Sequence, residues 1–282
     1  LKSYLFKRVT IVGVGLMGGS VGLAIRKHRL AKEVVGLSQK QSSLVAAIKK
    51  KAIDTACSDV SKAIRNADLV ILATPVDSII KLLSTISPYL RRGCVVTDIG
   101  SSKVEIVKAA EKVLGNGVNF VGSHPLVGSE KQGVEFATAE LFDHSQCIMT
   151  PIKKTNNSAR EKVKKLWSRV GCEVTILSAQ EHDEIMAYTS HLPHLLAFGL
   201  TEIISQEHLK FAARGLLDTT RIAGSSPQMW NDICLSNSQN VLKSLDHFVK
   251  DLSILRKAIV NKDQKTLLEY LTKAQEKRNA IV

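Results

Sequence analysis

Aromatic side chains are scarce, at 5% of 282 residues, and the charge is lopsided, with 39 Lys and Arg against 26 Asp and Glu for a net +13. The basic residues fall in short, separated groups such as Arg91–Arg92, Lys153–Lys154 and Lys162–Lys165. No basic stripe is interleaved with aromatics, so no nucleic-acid partner is expected. What remains is a solvated basic surface that favours small anions. The five cysteines, Cys57, Cys94, Cys147, Cys172 and Cys234, include no CxxC pair. That argues against a disulfide framework or a zinc site and fits reduced thiols. No apolar run approaches the ~20 residues that cross a bilayer, so no membrane partner is expected. The opening LKSYLFKRVT has no apolar signal core and leads straight into a strand. The expected location is cytoplasmic, or an organelle stroma after removal of a transit peptide.

What is present is alternation. Short β-branched runs at Arg8–Val14, Glu33–Leu37, Ala67–Ala73, Cys94–Asp98, Val118–Val121, Gln146–Thr150 and Val174–Leu177 are separated by helical periods. Fully apolar strands alternating with helices predict a parallel sheet covered on both faces. From Ala179 onward the pattern is helical only, with a break at Gly224–Pro227. The expected plan is an α/β domain over residues 1–178 and an all-helical domain over 179–282.

Three stretches carry chemistry. In TIVGVGLMGGS, Gly13, Gly15 and Gly18 have GxGxxG spacing between a predicted strand and a predicted helix that includes Leu16 and Met17. That context marks a dinucleotide site: a tight turn, a close backbone approach to pyrophosphate, and close helix–strand packing. The second strand ends in Ser38, Gln39 and Lys40 with no carboxylate to clamp a ribose 2′-hydroxyl. A hydroxyl, an amide and a cation favour NADP over NAD. Thr74 and Pro75 follow the third apolar run, where a loop would lie beside the nicotinamide ribose. In TDIGSSK, Ser101 either caps the next helix or points its hydroxyl into the cleft. In GSHPLVGSE, His124 between Gly122 and Pro125 is either part of a plain turn or an acid–base group at a strand's carboxyl end.

Together with ATPVD, SHLPHLLAF and DTTRIAGSSPQMWNDI, these stretches resemble the prephenate/arogenate dehydrogenase family of tyrosine biosynthesis, from residue 7 to about 278. The resemblance implies a Rossmann-type nucleotide-binding domain, a C-terminal all-helical dimerisation domain and a homodimer. It also implies NAD(P)-dependent oxidative decarboxylation of a small anionic cyclohexadienol. His124 matches the family's catalytic histidine, and Ser101 a serine between substrate and nicotinamide. Arg221 matches the arginine that holds the substrate carboxylate, with Asp218 one turn earlier. His194 matches a histidine near the substrate's side chain, and Glu130 a glutamate at the cleft mouth. Trp230 is expected to pack between helices of the dimer. A structural role is the expectation for His191, and no metal is expected, because no third ligand spacing accompanies His191 and His194. The resemblance is to a minimal catalytic core, in which any feedback by tyrosine acts at the active site. Two rivals remain: a β-hydroxyacid or imine reductase of the same two-domain plan, which would use a lysine in the helical domain, and a non-catalytic NADP-binding sensor.

Overall fold

The computed structural model describes residues 4–128 and 131–281. Its centre is an eight-stranded sheet with strand order β3-β2-β1-β4-β5-β6-β7-β8. The strands are β1 (Phe6–Val12), β2 (Ala31–Leu37), β3 (Thr55–Cys57), β4 (Leu69–Leu72), β5 (Val95–Asp98), β6 (Asn119–Pro125), β7 (Gln146–Pro151) and β8 (Glu173–Ile176). Between them run α1 (Leu16–Lys27), α2 (Gln41–Lys49), α3 (Val60–Ile64), α4 (Val76–Ile86), α5 (Val104–Val113) and α6 (Asn157–Arg169). The order reverses direction at β1, whose neighbours are β2 on one side and β4 on the other. Open α/β sheets place ligands at such a switch point, outside the strands' carboxyl ends.

The sheet's two faces are dry. All four residues of β4 are buried, and consecutive side chains serve opposite faces. Leu69 and Ile71 join Val9, Ile11, Val163 and Trp167 in one cluster. Val70 and Leu72 join Val12, Ile79, Leu83 and Ile106 in the other. Helix α4 shows the period that makes this possible: Val76, Ile79, Leu83 and Ile86 are its buried residues, a stripe at three- and four-residue steps.

One feature departs from the parallel sheet expected from alternation. β6 and β7 pair antiparallel, with His124 opposite Ile148 and Pro125 opposite Cys147. Among the described residues no helical crossover separates β6 from β7, where two short 3-10 turns lie (Val134–Phe136 and Ala139–Phe142), and a parallel partner requires a crossover. The pairing extends β6 through His124 to Pro125, beyond the expected end at Val121. The imidazole therefore sits on a strand braced from the side.

The helical half comprises α7 (Ala179–Met186), α8 (Leu192–Glu202), α9 (Gln206–Leu209), α10 (Arg214–Thr220), α11 (Pro227–Ser236), α12 (Ser238–Val260) and α13 (Gln264–Asn279). Helix α7 opens with a reciprocal capping box between Ser178 and Glu181. The chain forms two compact units, Leu1–Asn237 and Ser238–Val282. Helices α7–α11 thus share a unit with the sheet. In the second unit α12 packs on α13, and Leu242, Val249, Leu252, Ile259, Leu268 and Leu271 are exposed on them.

Candidate active site

The glycine turn has the geometry its spacing predicts. Gly13 adopts φ +92°, and a Cβ there would lie 2.7 Å from the Ala73 carbonyl oxygen. At Gly18 a Cβ would sit 1.9 Å from the Gly13 carbonyl oxygen, so only hydrogen fits where α1 crosses β1. Gly15 is the opposite case: a Cβ would meet nothing within 4 Å. Gly15 is also the N-cap of α1, which has no side-chain cap and no acidic residue in its first turn. An uncapped helix start facing open space presents free N–H groups to an anion. Leu16 and Met17 are half-buried on that first turn. Beside the turn, the Thr74 hydroxyl is buried without a hydrogen-bond partner, and Pro75 is exposed. At the end of β2 the Ser38 hydroxyl accepts from the Lys40 N–H at 3.2 Å, and the Gln39 and Lys40 side chains are exposed.

A second cluster lies at the carboxyl ends of β5 and β6. Asp98 closes β5 and is fully buried. One carboxylate oxygen accepts from Gly100 N–H at 2.8 Å and the other from Ser123 N–H at 3.2 Å. The buried Lys103 ammonium pairs with Asp98 and donates to the Ser123 carbonyl at 3.0 Å. A buried ion pair persists only when its remaining bonds are satisfied, and here they tie β5 to β6 one residue before His124.

His124 is half-buried. Its Nδ1 lies 2.8 Å from His182 Nε2. His182 Nδ1 lies 2.7 Å from Asp183 Oδ1. Asp183 in turn accepts from the backbone N–H of Lys103 at 2.7 Å and of Val104 at 2.9 Å. It therefore caps α5 from across the molecule, a task that Ser101 does not perform. The N-cap residue of α5 is Lys103 and makes no side-chain cap bond. The half-buried Ser101 hydroxyl makes no hydrogen bond among the described residues. Burial, then the neighbouring His182, Lys103 and His191, push the His124 pKa well below its ordinary 6.5. The ring is neutral at neutral pH, as a proton acceptor must be.

His191 belongs to this cluster in a supporting role. It is buried, its Nδ1 lies 3.2 Å from the Asn237 side-chain amide, and burial lowers its pKa to about 4. The Asn237 amide also donates to the Asp183 carbonyl at 2.7 Å. His191 closes a π-helical turn (Ala187–His191) just before Pro193 in α8, which is the interruption expected from that proline. His194 stacks on Trp230 at 3.7 Å between ring centroids, and its Nδ1 donates to the Ser190 carbonyl at 2.9 Å. Trp230 is buried within its own chain, edge-on to His191 and face-on to His194. Arg221 is exposed and near enough to His194 to oppose its protonation, after burial. Asp218 is exposed on α10. Glu130 lies outside the described residues.

Sequence reasoning missed His182 and Asp183. The signal was present: SAQEHDEI is a capping box followed one residue later by two adjacent titratable residues at the start of a helix. Nothing in the pattern says that this pair faces inward, because contact with His124 spans 58 residues.

A glycine turn at the switch point of a sheet, with a neutral imidazole at the sheet's carboxyl edge, defines a nucleotide-binding oxidoreductase. Comparison with known proteins narrows the class. A family profile described as prephenate dehydrogenase, nucleotide-binding domain, matches residues 21–176, and one described as prephenate dehydrogenase, dimerization domain, matches residues 178–273. A prephenate dehydrogenase of Bacillus subtilis is 34% identical over 97% of this chain and 76% of its own length. A cyclohexadienyl dehydrogenase of Zymomonas mobilis is 34% identical over 98% of this chain and 96% of its own. The crystal structure of prephenate dehydrogenase from Aquifex aeolicus, in complex with hydroxyphenyl propionate and NAD+, superposes with a TM-score of 0.92 at 35% identity, covering 98% of both chains. The chain belongs to the prephenate dehydrogenase family.

Proposed function

We propose that the chain oxidatively decarboxylates a cyclohexadienol, prephenate or arogenate, to the matching phenol with NADP or NAD. The observation that carries this reading is the neutral His124 imidazole, braced on β6 and hydrogen-bonded through Nδ1, so that Nε2 is the nitrogen left for a ligand. When bound, the nicotinamide supplies the hydride acceptor. Gly13, Gly15, Leu16, Met17 and Gly18 would hold the pyrophosphate at the start of α1, and Thr74 and Pro75 the neighbouring ribose. The open space at Gly15 and the unpartnered Thr74 hydroxyl fit that group. Ser38, Gln39 and Lys40 would take the adenosine-side ribose and, in NADP, its phosphate.

His124 accepts the proton of the ring hydroxyl as hydride leaves the same carbon. The bond from the opposite ring carbon to its carboxylate breaks, and its electron pair completes the aromatic ring as CO2 departs. The proton returns from His124 to the phenol oxygen, so none is released overall. Ser101, whose hydroxyl no other described side chain uses, orients the reacting hydroxyl. Arg221 binds a substrate carboxylate, for which a planar guanidinium is suited. His194, Asp218 and Glu130 meet the rest of the substrate. The nucleotide-binding part ends near residue 178, and residues 179–282 serve substrate and homodimer. Exposed leucines on α12 and α13 support that assembly. Among the described residues no helix is long and apolar enough to cross a membrane, and the proposed workplace is the cytoplasm.

The test is the purified chain with each dinucleotide and each substrate, followed by absorbance of the reduced nicotinamide. Turnover of at least one cyclohexadienol, with a higher kcat/KM for NADP than for NAD, is expected. Silence in all four mixtures with retained dinucleotide binding would establish a sensor instead. Turnover of β-hydroxyacids alone would establish the reductase.

A further inference from the structure

We infer that His182 and Asp183 are positioning residues that hold His124 in one tautomer, with hydrogen on Nδ1 and the lone pair on Nε2. The inference deepens the role given to His124 above and rests on that reading only for its kinetic consequence.

The argument starts at the carboxylate. Asp183 is fully buried at the N-terminus of α5 and accepts from two backbone N–H groups, Lys103 and Val104. Those N–H groups require an acceptor on each oxygen, and the helix end favours a negative charge there. The contact from Oδ1 to His182 Nδ1 at 2.7 Å must then be donated by the histidine. A neutral imidazole carries one N–H. With hydrogen on Nδ1, His182 has a lone pair on Nε2. That lone pair lies 2.8 Å from His124 Nδ1, so His124 must donate there. Its single hydrogen is then on Nδ1, and Nε2 is the acceptor. A free neutral imidazole is not restricted in this way: either nitrogen carries the hydrogen.

Each link depends on both rings being neutral, and the surroundings see to it. His182 is buried, and its pKa is lowered first by that burial, with Lys103 adding to it while Asp183 and Asp98 oppose. The groups facing His124 are His182, Lys103 and His191, and each of them opposes a positive charge on the ring. The His124–His182 rings meet edge to face, at 62° and 5.0 Å between centroids, and only Nδ1 of His124 makes the contact with His182 Nε2. His124 Nε2 has no partner among the described residues.

The experiment is nitrogen NMR of the isotope-labelled histidine rings at neutral pH, with His124 assigned by its loss in His124→Asn. The wild-type protein is expected to show His124 Nδ1 protonated and Nε2 unprotonated. Hydrogen on His124 Nε2 in the wild type overturns the inference, whether or not the protein turns over any substrate. If the tautomer is as stated and no cyclohexadienol reacts, the functional reading fails and the inference stands. Two variants give the kinetic arm. His182→Leu removes the acceptor, and a mixed tautomer with a fall in kcat of roughly 30–100-fold is expected, KM and dinucleotide affinity staying within about twofold. His182→Gln replaces both bonds, its amide donating to Asp183 and its carbonyl accepting from His124. It is expected to restore the single tautomer and most of kcat. Equal kcat in His182→Leu and wild type, or no recovery by glutamine in a folded variant that keeps the wild-type KM, defeats the positioning role.

Discussion

The two sides of the proposed cleft are built on different principles. On the side of β5, β6 and α7, Asp98, Lys103, Ser123, His182 and Asp183 are wholly buried, and His124 is held by a chain of bonds that ends on a helix terminus. On the side of α8 and α10, Arg221 and Asp218 are exposed, His194 is half-buried, and α10 buries none of its residues. The groups proposed to move a proton are held by bonds within the protein itself. The groups proposed to grip the substrate stand at the surface. The contrast matches what each task requires. A proton acceptor needs a set tautomer and a dry surrounding, whereas a carboxylate-binding arginine needs only reach and charge.

The contrast is sharpest where it is most easily broken. Lys103→Met leaves Asp98 buried without its cation. Removing one partner of a buried pair costs about 3–5 kcal/mol, so a large drop in the denaturant midpoint is expected. A midpoint within error of wild type would mean that the pair does not anchor β5 to β6. His124→Asn should lower kcat by ~10²-fold or more with dinucleotide affinity retained, read from initial rates and from nicotinamide fluorescence titration. Normal turnover in that variant removes the imidazole from the chemistry. On the side of α8 and α10, Arg221→Ala should raise KM by roughly tenfold to a hundredfold at nearly constant kcat. Because the residue is exposed, its stability should shift by less than about 0.5 kcal/mol. A loss confined to kcat would place the guanidinium among the reacting atoms instead.

The smallest effect is a pH dependence. His124, His182, His191 and His194 all have lowered pKa values, with burial the first cause in each. The unfolded chain binds protons at the ordinary 6.5 and the fold resists them. Unfolding therefore takes up protons, and stability present above 6.5 is lost progressively as pH falls towards about 4, where His191 protonates in place. Thermal melts across that interval should show a falling Tm, while the acid limb of kcat/KM lies below 6.5. A flat Tm would mean that these rings are solvated.

The same division shows in what the sequence disclosed. The glycine turn, the apolar strands and the break at Gly224–Pro227 were legible because local spacing determines them. His124 was legible as a residue, but its setting was not: alternation does not announce that β7 runs antiparallel and lengthens β6. Ser101 reads as a possible cap because capping is a local pattern. The true cap, Asp183, comes from 80 residues away. Trp230 is legible as a packing residue, but the two imidazoles it packs on, His191 and His194, are not.

Asp183 serves two structures at once, so its loosening would be felt by both. Whenever the first turn of α5 frays, the carboxylate loses the amides that orient it, and the register of hydrogens in the two rings is lost with it. Exchange of the Lys103 and Val104 amide hydrogens with solvent therefore clocks how often the ring chain is out of order. A slow exchange rate there would mark a reaction centre that is assembled nearly all the time.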